Sequence, residues 1–172
     1  MKSVEIEKKC RFWGVPIIYR RPNSKIKIGY NCRFRSDKRS NLIGINRRCI
    51  ISTLKKGSII RIGNNCGFSG TTISSAKSIR IGNNILCGAN VIITDTDWHP
   101  LNPHNRNHKE ANSKPIIIKN NAFIGVNCTI LKGVTIGKNS VIGANSVVTK
   151  DIPDNAIAAG NPCKIIHHIN NK

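Results

Sequence analysis

The sequence repeats with a period of six residues, and this period restricts the possible folds more than any other feature of the chain. In its last third, aliphatic residues recur six apart without exception, at Ile118, Ile124, Ile130, Ile136, Ile142 and Val148. Six is a multiple of the strand period of two but not of the helical period of about 3.6, and the recurrent glycine and asparagine residues would destabilise a helix. The repeat therefore predicts short strands.

A turn motif accompanies the repeat: an aliphatic residue or cysteine, then glycine or lysine, any residue and asparagine. It occurs nine times, beginning at residues 28, 43, 62, 81, 87, 118, 124, 136 and 142. Glycine and asparagine tolerate left-handed backbone conformations, so we expect the chain to turn after each unit. Three units would close a triangular coil of about 18 residues, and stacked coils would pair as parallel strands about 4.8 Å apart. Ile43, Ile62 and Ile81 follow one another at intervals of 19 residues, which places Ile43 in the wall of this prism.

The predicted fold is therefore an all-β protein, a parallel β-helix shaped as a triangular prism, over residues 28–152. The register breaks once, and the break predicts an extruded loop over about residues 94–115. Residues 1–27 do not fit the register and are interpreted as a basic lead-in segment or cap. Residues 153–172 are interpreted as a C-terminal turn and tail. A loop this long in a compact domain is usually functional or disordered.

The charge of the chain is strongly positive, at +20 for 172 residues. Residues 1–61 carry 17 Lys and Arg against three acidic residues. One interpretation is a field that attracts phosphates, an anionic glycan or an acidic membrane surface. The other is a coding bias, since Lys, Asn and Ile are all frequent. Nucleic acid is not expected as a partner, because the basic residues are not interleaved with aromatic ones.

Two further features of the composition concern the compartment. No apolar run approaches the roughly 18 residues needed to span a bilayer, and the N-terminus lacks the apolar stretch of a signal peptide. Seven cysteines are scattered singly, without a CxxC pair. We interpret them as reduced core residues of a cytoplasmic protein.

Three features together resemble a known family, the hexapeptide-repeat acyltransferases, and within it the galactoside, maltose and polysaccharide O-acetyltransferases. They are the unbroken hexads, the HPL at residues 99–101 before the loop, and the ending VIGANSVVTKDIPDNAIAAGNPCKII at residues 141–166. The resemblance covers about residues 28–168. It implies a left-handed β-helix and a homotrimer with active sites between subunits. It also implies acetyl-CoA as co-substrate, no metal, and a sugar or glycan acceptor from polysaccharide biosynthesis.

The resemblance implies a role for individual residues of the loop. His99 matches the catalytic histidine, and an imidazole suits a general base that deprotonates a sugar hydroxyl near neutral pH. Asp97 and Asp95 are candidates to support His99 or to bind the acceptor, and Trp98 and Ser69 are further acceptor candidates.

Coenzyme contacts are implied at Phe123, Gly125, Ala144, Thr149, Lys150 and Lys164. Phe123 stands where relatives often have tryptophan, and Val126 where they often have a small polar residue. A basic lead-in segment is also compatible with an anionic lipid-linked substrate.

Several alternatives remain open. An acyltransferase of this kind could act on an amine, such as an amino sugar or serine. A non-enzymatic β-helix could serve as a basic scaffold. His99 and His104 also have a spacing that suggests the zinc site of γ-class carbonic anhydrases. A zinc site needs three or more ligands in fixed geometry, however, and no histidine precedes His99 in the chain.

Overall fold

The computed structural model describes residues 4–106 and 110–169, which form a stack of triangular coils. Each of the first six coils contains three short strands, one for each face of the prism. The strands are β1 (Val4–Ile6), β2 (Arg11–Trp13), β3 (Ile17–Arg20), β4 (Lys25–Ile28), β5 (Arg33–Arg35), β6 (Ile50–Thr53), β7 (Ile59–Ile62), β8 (Gly67–Ser69), β9 (Thr72–Ser75), β10 (Ser78–Ile81), β11 (Leu86–Ala89), β12 (Ile92–Thr94), β13 (Ile116–Ile118), β14 (Phe123–Ile124), β15 (Thr129–Ile130), β16 (Thr135–Ile136), β17 (Val141–Ile142), β18 (Val147–Val148), β19 (Ala156–Ala159) and β20 (Lys164–His168). Short 3₁₀ helices lie at Lys38–Ser40 and Pro103–Asn105.

Strands of successive coils pair in parallel and form three sheets. Sheet A contains β1, β4, β7, β10, β13 and β16, and sheet C contains β3, β6, β9, β12, β15 and β18. Sheet B contains β2, β5, β8, β11, β14, β17 and β19, and β20 adds to its end in antiparallel orientation. We call the edges of the prism the A–B, B–C and C–A corners, after the sheets that the chain leaves and enters there. The predicted left-handed parallel β-helix is confirmed.

Columns of aliphatic side chains fill the prism. Along sheet A, paired residues of successive coils place isoleucine above isoleucine, and each is at most 4% exposed, at Ile28, Ile62, Ile81, Ile118 and Ile136. Branched side chains of one shape stack well on a parallel ladder, so each coil buries its apolar surface against the coils above and below. The core is thus assembled from many small, equivalent layers.

At the A–B corner, glycine and asparagine have different roles in the turn of the chain. One asparagine of each turn takes a positive φ, and the side-chain amides of these residues bond to one another at 2.8–3.2 Å, from Asn31 through Asn65, Asn84, Asn121 and Asn139 to Asn155. The corner glycines of the repeat do not have positive φ. Glycine is required there because a Cβ on Gly63 would lie 2.6 Å from the carbonyl oxygen of Gly82 in the next coil.

The N-terminal residues differ from the lead-in segment expected over residues 1–27. Strands β1, β2 and β3 pair with β4, β5 and β6, so the described part of this segment forms the first coil of the prism. Phe12 stacks on Phe34, with ring centroids 5.3 Å apart. The hexad pattern is hidden here because Glu7, Lys8 and Lys9 occupy the corner positions that later coils give to glycine and asparagine.

The prediction of a single break in the register is wrong, because a second segment leaves the prism between β5 and β6. Residues 36–49 form this segment, and Ile43, expected in the wall, is 65% exposed. The motif IGIN at 43 misled the prediction because it matches the corner motif without lying at a corner. The residue that stacks below Ile62 is instead Ile28.

The cysteines are free thiols, and Cys32, Cys49, Cys66, Cys87, Cys128 and Cys163 are buried. Burial raises the pKa of the Cys87 thiol, so it stays protonated and packs as a small apolar residue. In the part of the chain that the structure describes, no helix has the length and apolar character needed to cross a bilayer.

Two glycine substitutions test why the repeat needs glycine. We expect Gly63→Ala to lower the free energy of unfolding by about 2–3 kcal/mol, because the new methyl group would force two coils apart. Gly57→Ala is the control, since Gly57 has φ +80° and no atom within 4 Å of an added Cβ. It should cost only about 1 kcal/mol, the strain of a left-handed alanine. Urea unfolding curves would measure both, and equal losses would contradict the close-approach explanation.

Candidate functional site

A short antiparallel stem at the C–A corner carries the loop that contains the predicted catalytic histidine. Thr96 forms an isolated bridge with Ser113. The Asp97 N–H donates to the carbonyl of Asn112 at 3.1 Å, and the Lys114 N–H donates to that of Asp95 at 3.0 Å. The stem therefore holds its two strands together where the chain leaves β12 and returns to β13, and it fixes the residues at the base of the loop.

Asp97 lies on this stem and is 19% exposed at its side chain. Its Oδ1 accepts a hydrogen bond from Lys132 Nζ at 2.6 Å, and Lys132 comes from the C–A corner of the next coil. Its Oδ2 is buried and has no hydrogen-bond partner among the described residues. Buried carboxylate oxygens almost always have a partner, so this atom is available for a donor that binds at the site or moves into it.

His99 is exposed and follows Asp97 by two residues. Its backbone N–H donates to the Asp97 carbonyl at 2.7 Å, in a tight turn at which Trp98 takes φ +65°. A left-handed tryptophan is uncommon, and its neighbours hold it: its indole N–H donates to Thr94 Oγ1 at 3.1 Å. The turn keeps the backbone of His99 next to Asp97 and leaves its imidazole open to solvent.

Asp95 differs sharply from Asp97. It is fully buried, and its carboxylate accepts from the hydroxyl of Ser75 and from the backbone N–H groups of Ala76, Lys77 and Ser78, at 2.6–3.0 Å. These donors form the C–A corner of the preceding coil. Both oxygens thus already accept hydrogen bonds from this corner, and the carboxylate has no contact with solvent.

The residues implied as coenzyme contacts lie at two different corners. Gly125 and Ala144 adjoin at the B–C corner, where a Cβ on Gly125 would lie 2.6 Å from the Ala144 nitrogen. Lys164 pairs with Ala159, which packs against Gly143 beside Ala144. Phe123 is exposed on sheet B in the strand that leads to Gly125.

Thr149 and Lys150 lie at the C–A corner instead, exposed and directly above the coil that carries Lys132. They therefore share an edge of the prism with Asp97 and His99. The five steps along the chain from Ala144 to Thr149 cross sheet C, a distance of about 15 Å at the rise of a strand. A single chain thus places His99 on one edge and most of the implied coenzyme contacts on another.

Ser69 lies on sheet B at the B–C corner, and sequence reasoning missed its neighbour Asn41. The side-chain amide of Asn41, in the segment 36–49, donates to Ser69 Oγ at 3.1 Å. The segment 36–49 could have been found from the interval of 34 residues between Ile28 and Ile62, which is almost two coils and contains a cluster of charges. Lys132 was also missed. No sequence signal indicates Lys132.

His104 does not join the site. His104 lies in the 3₁₀ helix at the tip of the loop and is exposed, and His108 lies outside the described residues. Within residues 4–106 and 110–169, no three His, Cys, Asp or Glu side chains come close enough to hold a metal ion.

Known proteins resemble the chain in sequence. The family model described as the hexapeptide repeat of succinyl-transferase matches residues 115–150. Over 118 residues, or 67% of the chain, the sequence is 48% identical to galactoside O-acetyltransferase of Escherichia coli (strain K12). The chain spans 57% of the length of that relative.

Solved structures resemble the whole chain. A galactoside acetyltransferase in complex with coenzyme A is 33% identical with a TM-score of 0.60, and the match covers 98% of this chain and 65% of that one. A maltose O-acetyltransferase from Clostridium difficile 630 is 29% identical with a TM-score of 0.60, over 97% of this chain and 70% of that one.

The different hydrogen bonding of Asp95 and Asp97 predicts that their substitution will change the free energy of unfolding by different amounts. We expect Asp95→Asn to lower the free energy of unfolding by about 3 kcal/mol, because an amide leaves buried backbone donors without an acceptor. Asp97→Asn should cost about 1 kcal/mol or less, since it removes only a partly exposed ion pair. Urea unfolding of both variants gives the comparison. A larger loss for Asp97→Asn would show that the stem, and not the Asp95 carboxylate, stabilises this corner.

Proposed function

Because this chain belongs to the hexapeptide-repeat acyltransferases, which fold as a left-handed β-helix, we propose that it transfers an acetyl group from acetyl-CoA to a hydroxyl of a sugar. The relatives named above are acetyltransferases for galactosides and maltose. The acceptor of this chain is proposed to belong to the same broad class, as part of a surface polysaccharide or its precursor.

One observation carries the proposal: an exposed histidine beside a buried carboxylate oxygen that has no partner among the described residues. Asp97 Oδ2 lies on the stem at the open edge of the prism, and His99 follows two residues later with its backbone N–H bonded to the Asp97 carbonyl. A general base works best when its second nitrogen is held by an acceptor, which selects the tautomer and stabilises the imidazolium. Asp97 suits this role, whereas Asp95 is committed to the backbone. Lys132 then holds Asp97 in place through its other oxygen.

The chemistry assigned to His99 is a direct transfer. The imidazole takes the proton of the acceptor hydroxyl as that oxygen forms its bond to the acetyl carbon. The carbon–sulfur bond of the thioester then breaks, and the leaving thiolate takes the proton from the imidazolium. A backbone N–H at a coil corner would stabilise the oxyanion, and positioning both substrates provides most of the remaining acceleration.

Of the residues assigned to the coenzyme from the resemblance, Gly125 is buried, and the others are exposed: Phe123, Ala144, Thr149, Lys150 and Lys164. The backbone of Ala144 is assigned to contact the pantetheine arm. Gly125, which has no Cβ, allows the two coils to approach closely at the same corner. Phe123 flanks the same edge on sheet B. Thr149 and Lys150 are assigned to the adenosine and its phosphates, and Lys164 to the 3′-phosphate, where an ammonium group serves as a point charge.

We further propose a homotrimer in which sheet C of each subunit faces the three-fold axis. The outward column of sheet C is uncharged and rich in β-branched residues, at Ile17, Ile50, Thr72, Ile92, Thr129 and Val147. The matching column of sheet A carries Lys27, Arg61 and Arg80. Around a three-fold axis, the B–C corner of one subunit meets the C–A corner of the next, which brings His99 to the neighbour's coenzyme.

Four finer assignments remain predictions. Trp98 is a candidate to stack on the acceptor sugar, since more than half of its surface is exposed. An amine in place of a hydroxyl acceptor remains the second candidate reaction. The cytoplasmic location and the contact with an anionic lipid-linked substrate also remain predictions.

The role of His99 is tested by acetyl transfer to a panel of sugars that includes galactosides and maltose. We expect His99→Ala to lower kcat/KM at least about a hundredfold, because the attacking hydroxyl loses its base. His104→Ala, in the same loop, is the control and should keep wild-type activity. Thiol release from acetyl-CoA measures both, and unchanged turnover in His99→Ala would disprove the mechanism.

The position of the active site between subunits is tested by co-expressing two inactive variants. His99→Ala lacks the base, and Ala144→Trp blocks the coenzyme at the other corner. Random mixing should restore about a quarter of the sites, since each site takes one corner from each of two subunits. Differently tagged copies would establish that mixed trimers form. Mixed trimers without activity would place both corners of a site in one chain.

A further inference from the structure

A groove of about 470 Å³ runs along the outside of sheet B, below the implied coenzyme corner. The outward column of sheet B follows the groove and extends one coil below its lining, to Arg11. Arg11 pairs with Arg33, Arg33 with Gly67, Gly67 with Leu86, and Leu86 with Phe123. The column thus begins with two exposed arginines, continues over the bare backbone of Gly67, and ends on two exposed apolar side chains. Both ends lie on one face of the same sheet.

The segment 36–49 forms a side wall of this groove and is firmly attached. Arg35 holds it from the sheet, since its guanidinium donates to the Ser40 carbonyl at 2.6 Å and lies 5.0 Å from the ring centroid of Trp13. Asn90 anchors its far end by accepting from the Asn46 N–H and donating to the Gly44 carbonyl, both at 3.0 Å. The wall is therefore preformed, with no rearrangement needed to shape the groove.

The polar groups of the groove suit sugar hydroxyls. Ser69 Oγ accepts the bond from Asn41, which leaves the hydroxyl proton of Ser69 for another acceptor. Leu86, which is 55% exposed, offers an apolar surface across from these groups. A pyranose ring presents an apolar face and a rim of hydroxyls, and sugar sites commonly combine both kinds of contact.

Arg33 provides the charge. Its side chain is exposed, and neither Arg33 nor Arg11 forms an ion pair with a carboxylate in the described ranges 4–106 and 110–169. Arg35 is the other charged residue of the lining, and it already binds the wall. A guanidinium with free donors binds a carboxylate in a bidentate manner. Arg33 lies three coils below Phe123, which is about 14 Å at the strand spacing.

We propose that this groove binds an acidic glycan, and that Arg33 and Arg11 bind carboxylates on sugar residues remote from the one that is acetylated. The inference rests on the proposed function, because it takes the upper end of the groove to be the acceptor end. It adds the substrate class: a chain of several sugars that carries repeated negative charge. Single sugars would reach the reacting end of the groove and leave the arginines unoccupied.

The test is equilibrium binding without acetyl-CoA, so that it does not depend on catalysis. The probes are tetragalacturonic acid and neutral maltotetraose at fixed ionic strength. The wild-type protein should bind the acidic tetramer at least about tenfold more tightly, and Arg33→Ala should remove about that factor, the value of one charge-assisted contact. Arg80→Ala is the matched control, since Arg80 is an exposed outward arginine on sheet A. It should change the affinity less than about twofold.

Each other outcome has a definite meaning. Equal losses for Arg33→Ala and Arg80→Ala would overturn the proposal, because the attraction would then come from net charge. Equal affinity for the two tetramers would overturn it as well. A single-stranded RNA that displaces the tetramer with the same dependence on Arg33 would also overturn it and indicate a nucleic-acid groove. Selective binding of the acidic tetramer without acetyl transfer to any sugar would retain the groove and reject only the proposed enzyme activity.

Discussion

Every feature of this protein depends on the close stacking of one coil on the next, about 4.8 Å apart. Backbone hydrogen bonds along three sheets set that distance. The residues at the corners must therefore allow the backbones of successive coils to approach equally closely. At the A–B corner, glycine allows backbones to approach where a Cβ would collide, and an unbroken row of asparagine amides joins successive coils. The same spacing places each outward residue at a fixed height on the prism, so any residue at a corner or on a face has a defined neighbour above and below it.

Two segments leave this regular frame, and the proposed chemistry lies where they do so. The stem at residues 95–97 and 112–114 departs from the C–A corner and presents His99 beside Asp97. The segment 36–49 covers the B–C corner and forms one wall of the groove on sheet B. The regular prism fixes the height of each residue that flanks these segments. The segments add the polar groups that a uniform ladder of isoleucines lacks. A trimer would join these two corners, since about 15 Å of sheet C separates them within a chain.

Much of the fold could be predicted from the sequence, because the hexad is a local signal repeated many times. Its failures have physical causes. Ile43 imitates the corner motif, yet it lies in a segment held by Arg35 and Asn90, and only tertiary contacts distinguish the two. The first coil was not predicted from the sequence because charged residues replace glycine and asparagine at its A–B corner. Asp95 and Asp97 looked equivalent two residues apart, but Asp95 accepts from the backbone of the preceding coil and Asp97 from Lys132 of the next coil, and only the tertiary structure shows these different partners.

The sequence alone determined the strand period, the parallel stacking, the identity of the core residues and the presence of a polar loop with His99, since each of these follows from a pattern within a few residues. The tertiary structure decided which residues meet. It brought Lys132 to Asp97 across 35 positions of sequence and Asn41 to Ser69 across 28. It also aligned Arg33 with Leu86 and Phe123 along one groove. These contacts between distant residues depend on how many residues each coil contains. A segment inserted in one coil changes that number, and the local sequence pattern does not show the change.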